Sequence, residues 1–129
     1  MLAAAADAGL ARTDVRIYEA GLNVPEGGRR AAARLLDAPQ PPDAIVCLSD
    51  RLAAGALEEL AARGRAVPED VAVTGWDDMQ LASDLDLTTV RQPDEEKGRI
   101  AGQWMVEGVR GPRRKILSTE IIVRGSSGG

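Results

Sequence analysis

"DAIVCLSDRLAAGALEELAARGRAVPEDVAVTGWDD", residues 43–78, contains the pattern that decides the fold. The apolar run Ala44–Leu48 is too short for a typical helix and does not alternate, so it predicts a strand buried on both faces. Ser49 or Asp50 then offers a helix N-cap, Ala53, Ala56, Leu57 and Leu60 form an apolar stripe at helical spacing, and Gly64 supplies the stop. After a proline-containing turn, Val71–Thr74 predicts a second buried strand that ends at Gly75, Trp76 and two adjacent carboxylates.

The same alternation extends in both directions. An alanine-rich opening helix leads to "DVRIYEA" (14–20), which predicts a short strand, and Pro25–Asp37 carries apolar residues on one helical side with Arg29, Arg30 and Arg34 toward the other. Beyond residue 86, "LTTVRQP" predicts a strand and Pro93 opens a helix to Val109, with acidic residues in its first turn. "KILSTEIIVRG" predicts a last strand before a frayed Gly/Ser end. Strands alternating with helices predict an α/β fold: a doubly wound, mainly parallel sheet with helices on both faces. No fixed-period repeat is present, which disfavours a solenoid.

Composition narrows the function classes. At 129 residues, 44% apolar and 28% charged, the chain has the balance of one globular domain. The net charge of −4 lacks the positive field that nucleic-acid binding needs, and Arg113, Arg114 and Lys115 are too few to supply it, so they read as a solvated turn. No run approaches the roughly 18 apolar residues of a membrane span, and the start lacks the basic front of an export signal. The cytoplasm is therefore the expected compartment. Cys47 lies within an apolar run, and with no His to activate it, it reads as a small core residue.

In open parallel sheets, ligands gather at the carboxyl ends of strands. Ser49, Asp50, Trp76, Asp77 and Asp78 all fall there. Asp77 can accept hydrogen bonds from a polyol or cap a tight loop, and Trp76 can stack on a sugar face or fill the core. Asp50 reads chiefly as a helix cap, and Asp78 as structural or exposed. A metal held by Asp77 and Asp78 is disfavoured because no third ligand is suggested by spacing. No cofactor motif is present.

"PPDAIVCLSDRLAAGALEELAARGRAVPEDVAVTGWDDM" (41–79), followed by "LTTVRQP" (87–93) and "TEIIVRGSS" (119–127), resembles the effector-binding region of the LacI/GalR family of bacterial transcription regulators. Each motif alone is weak; their order along nearly the whole chain is specific. The resemblance implies a periplasmic-binding-protein-like fold in which a small, sugar-like effector sits between two lobes. Residues 1–92 and 119–129 would form the C-terminal lobe, and 93–118 a helix and return belonging to the other. By matching position, the family's ligand contacts fall on Ser49, Asp50, Asp77 and Gln92, although Ser49 stands where the family has Asn and so lacks an amide. Gln92 can also serve the hinge backbone instead of a ligand.

The resemblance further implies a non-enzymatic homodimer that meets operator DNA only through a headpiece absent from this chain, with no membrane role. Two other readings stand beside it: a transport-type periplasmic sugar-binding protein, and a small α/β enzyme with Asp77 as general base. In the family's sheet order a strand lies between those matching 14–20 and 44–48, and this chain starts after it. The expected compensation is direct pairing of the two bare edges, exchange of segments between chains, or dimerisation.

Overall fold

The computed structural model describes residues 2–108 and 110–129. Its helices are α1 (Leu2–Asp7), α2 (Pro25–Leu36), α3 (Asp50–Ala62), α4 (Gln80–Asp84) and α5 (Asp94–Val106); its strands are β1 (Ala44–Val46), β2 (Ala72–Thr74), β3 (Thr89–Arg91) and β4 (Glu120–Ile122). β1 and β2 pair in parallel, Ile45 opposite Val73. Parallel bridges Thr74–Thr88 and Asp77–Arg91 carry the sheet on to β3, which pairs antiparallel with β4. The mainly parallel α/β sheet expected from the alternation is present, with β4 as its antiparallel member at one edge.

The core lies on one face of this sheet. Ile45 of β1 with Cys47 just after it, and Val73 of β2 with Val71 just before it, point to the same side, where Ala53, Ala56 and Leu60 of α3 and Ala32 of α2 close over them. Two glycines bring those helices together. A Cβ on Gly28 would fall 2.0 Å from the Leu52 carbonyl oxygen, and one on Gly55 would fall 1.8 Å from that of Pro25. The small residues of the "PEGG" and "LAAGA" segments are thus contact surface between two helix backbones, and the apolar stripe of α3 owes its depth to that approach.

The other face differs from expectation. The run 44–48 is buried on one side only: Val46 is 59% exposed and Leu48 70%. "DVRIYEA" follows a 3-10 turn, Arg12–Asp14, that takes its first residue, and over residues 15–20 it has neither helix nor strand pairing, which corrects the predicted strand there. β-branched residues favour extended backbone, but a strand exists only where a neighbour accepts its hydrogen bonds, and β1 pairs with β2 alone among the described strands. Direct closure between 15–20 and β1 is accordingly not formed. The last strand shrinks to Glu120–Ile122 for the same reason, since β3 offers only a three-residue partner.

The end of the chain is the opposite case. Rather than fraying, Gly125–Ser127 makes a 3-10 turn with Ser126 buried. The Ser126 hydroxyl donates to the Val73 carbonyl (2.7 Å) and accepts from the Thr88 amide (2.8 Å), which pins the end beneath β2. The expected helix end at Val109 lies outside the described residues.

The glycine approach gives a stability prediction. Gly55→Ala has no space for its methyl and should cost about 3 kcal/mol, the upper range for overpacking, lowering the melting temperature by roughly 10 °C. Thermal denaturation followed by circular dichroism reads it; an unchanged melting curve would mean that α2 and α3 do not meet there.

Candidate functional site

Asp77 and Gln92 leave different strands and meet. Asp77 follows β2, and its amide donates to the Val90 carbonyl (3.0 Å), tying the loop to β3. Gln92 follows β3 directly, and its side-chain amide donates to Asp77 Oδ1 at 2.9 Å. The Gln92 carbonyl oxygen in turn accepts from Lys97, whose ammonium also reaches Asp94 Oδ1 (2.9 Å). Because Lys97 has no acceptor, it fixes which end of the Gln92 amide faces Asp77. Both Asp77 and Gln92 are half-buried, so each keeps a face toward solvent.

Asp77 is held there by an unusual backbone. Its φ is 109° and that of Asp78 is 54°, both in the left-handed region that side chains rarely adopt. Asp78 supplies the restraint: Oδ1 meets Arg124 (2.8 Å) and Oδ2 meets Arg91 (2.7 Å), so one carboxylate joins the loop, β3 and the segment after β4. Burial alone pushes its pKa up, but hydrogen bonds and charge from the two arginines outweigh burial and hold it below the usual carboxylate range. The twin carboxylates therefore divide roles, one turned outward and one locked inward.

Ser49 and Asp50 are also divided. Ser49 is the N-cap of α3: its hydroxyl accepts from the Leu52 amide (3.2 Å) and donates to Asn23 Oδ1, leaving it 2% exposed. The cap is thus Ser49 and not Asp50. Asp50 is the first residue of α3, 0% exposed, with Oδ1 accepting from the Thr89 hydroxyl (2.6 Å) and Oδ2 from the Met79 amide (2.7 Å). A Cβ on Gly75 would lie 2.4 Å from Asp50 Oδ1, so only glycine leaves room for this carboxylate. Trp76 keeps 37% of its surface exposed while its carbonyl accepts the Asp50 amide (2.9 Å), so the ring stands at the rim and the backbone belongs to the knot.

Two residues escaped the sequence reading. Asn23 lies beyond the carboxyl end of segment 15–20, the position where such sheets place ligand groups, and its amide stands beside the Ser49 hydroxyl. Since the Asn23 carbonyl end accepts from Ser49, its NH2 is left as a donor. Lys97 falls one turn into a helix that opens with three acidic residues, and that pattern reads first as a solvated N-terminus. Cys47 is buried and its thiol is pushed up to about 12 by desolvation, which makes it a poor nucleophile.

Against this geometry, comparison with known proteins is informative. The family model described as a periplasmic binding protein-like domain matches residues 1–127. The chain belongs to the family of periplasmic binding protein-like domains. The transcriptional repressor CytR of Escherichia coli K12 is 39% identical over 108 residues, 79% of this chain and 32% of its own. A crystal structure of an uncharacterized protein from Actinobacillus succinogenes superposes with a TM-score of 0.89 at 34% identity, over 98% of this chain and 47% of that one. A complex of the regulator CelR with cellobiose superposes with a TM-score of 0.77 at 34% identity, over 96% and 39%. The chain spans about a third of the length of the curated relatives it matches.

Two mutations separate the roles. Asp50→Ala strips partners from the buried Thr89 hydroxyl and the part-buried Met79 amide and should cost about 3 kcal/mol in urea unfolding; a loss below ~1 kcal/mol would show that the knot is dispensable. For Asp78 the folded pKa is depressed, so its stabilisation is complete above the unfolded value of about 4 and vanishes as pH falls through the folded one. Asp78→Asn should therefore be less stable than the parent at pH 7 and converge on it only as pH falls through the depressed folded value, read from urea midpoints across an acid titration.

Proposed function

We propose that this chain is the effector-binding and dimerising part of a LacI-type transcription regulator that acts by binding rather than catalysis in the cytoplasm. The observation that carries the reading is the Asp77–Gln92 pair, a carboxylate and an amide from adjacent strands held 2.9 Å apart at one rim. Such a pair matches a sugar hydroxyl: the carboxylate accepts from the O–H, the amide donates to the same or the next oxygen, and the exposed Trp76 ring offers an apolar face beside them. Ser49 is deeper, and Asn23 brings to its side the amide that Ser49 lacks. The CelR–cellobiose complex supports the choice of a sugar-like effector.

In this reading residues 1–92 and 119–129 form one jaw, while 93–118 run into the second. The support is α5, an amphipathic helix with no buried residue, whose Met105 and Val106 lie open. Effector held between both jaws would favour their closed arrangement and so change the spacing of paired DNA-reading headpieces in a homodimer. Among the described residues no helix is long and apolar enough to cross a membrane.

A thermal-shift screen of sugars, nucleosides and sugar phosphates against the native regulator tests the site. A hit should lose about 10- to 100-fold in affinity with Asp77→Ala, the equivalent of one or two charge-assisted hydrogen bonds, with little change in the ligand-free melting temperature. A hit bound unchanged by that variant overturns the assignment.

A further inference from the structure

Lys97 brings an ammonium to the rim pair, and its hydrogen bonds are largely spent there. It donates to the Gln92 side-chain carbonyl and to Asp94 Oδ1 (2.9 Å), while the Asp94 amide donates to the Gln92 backbone carbonyl (2.9 Å). The first turn of α5 is in this way fastened around Gln92. An amide turned the other way would set its oxygen against the Asp77 carboxylate and its NH2 against the ammonium, two repulsions in place of two attractions. Gln92 is therefore committed to donate. With one N–H on Asp77 Oδ1, its other N–H and Asp77 Oδ2 stand as an adjacent donor and acceptor.

The charge around this pair is lopsided. Asp50 stands behind the rim with its oxygens met by uncharged donors, the Thr89 hydroxyl and the Met79 amide, and Asp77 and Asp94 stand at the rim itself. Within this hydrogen-bonded group three carboxylates stand against one ammonium. The neighbouring cluster leaves the balance unchanged, since Asp78 and Glu120 are matched by Arg91 and Arg124. A ligand phosphate or carboxylate placed at Gln92 would meet net negative charge, with the Lys97 ammonium already bonded twice.

We propose that Lys97 is a positioning residue that sets the chemical class of the effector. By holding Gln92 as a donor beside Asp77, it makes the rim select an uncharged polyol, through a hydroxyl that donates to Asp77 and accepts from Gln92, and turn away sugar acids and sugar phosphates. The inference rests on the effector reading above and narrows it. A site whose donor and acceptor are both fixed in advance rejects a ligand group that leaves either of them unpaired.

Titration of the full chain with D-glucose and D-glucuronate, followed by nuclear magnetic resonance, tests it, because the two probes share a ring and differ in a primary alcohol against a carboxylate. Glucose at millimolar concentration should shift the Gln92 side-chain amide signals, and glucuronate should bind at least about tenfold more weakly, the scale of one adverse charge contact. With Lys97→Met, glucose should lose about tenfold in affinity, the equivalent of one hydrogen bond, and its advantage over glucuronate should widen because the rim has lost its ammonium. Exchange between the two Gln92 amide protons should also quicken, since a cation on the oxygen stiffens the C–N bond. Lys97→Arg should restore all three. Glucuronate bound as well as glucose, no response to glucose at the rim, or a Lys97→Met variant that keeps the parent's ratio overturns the proposal. Asp77→Ala separates the two levels. Glucose binding that survives it unchanged defeats the rim reading itself, whereas loss with Asp77→Ala and none with Lys97→Met leaves the rim standing and removes Lys97 from it.

Discussion

A single buried carboxylate organises the working end of this sheet. Asp50 takes a hydroxyl from β3 and an amide from the loop after β2, while its own amide is given to Trp76. The exits of β1 and β2 and the start of β3 are thereby fixed to one another at the head of α3. Unpaired, a buried carboxylate is costly; here each oxygen has a donor, and the knot has one stable arrangement instead of several. Gly75 is the condition for it, because any larger residue would collide with the carboxylate. Asp77 can be outward-facing only because the residues on either side of it are held this firmly.

A second restraint completes the rim. Asp78, Arg91 and Arg124 link the strained loop to both strands of the antiparallel edge, and the Arg124 guanidinium also donates to the Leu87 carbonyl (2.7 Å). Two successive non-glycine residues with positive φ persist only when their surroundings leave them no alternative. Recognition groups that are pre-placed in this way lose less freedom when a ligand arrives, which favours affinity without additional contacts.

The stretch 43–76 disclosed itself because its signals are local. An apolar run, a Ser cap, a stripe at helical spacing and Gly64 at φ 65° each act within a few residues, and β1, α3 and β2 stand where those signals put them. Residues 14–20 misled because their strand character depends on a neighbour, which no pattern within "DVRIYEA" reports. Ser126 was hidden for a related reason: a serine among glycines reads as a loose end until Val73 and Thr88 are brought beside it from 53 and 38 residues away. In the site, strand ends alone gathered Asp77, Trp76 and Ser49, and the family likeness added Gln92. Neither could tell that Asp50 turns inward and Asn23 outward, since adjacent polar residues sort themselves only by the packing around them.

The pinned chain end has a mechanical meaning. Thr88 exchanges hydrogen bonds with both the amide and the carbonyl of Arg124 and meets the Ser127 hydroxyl, while Ser126 grips Val73. Tension applied beyond Gly128 is delivered straight into the middle of the sheet, against several short bonds loaded together. A tether or surface attachment placed there pulls on the hydrogen-bonded middle of the sheet, whereas one placed at α1 pulls on a segment that, among the described residues, pairs with no strand.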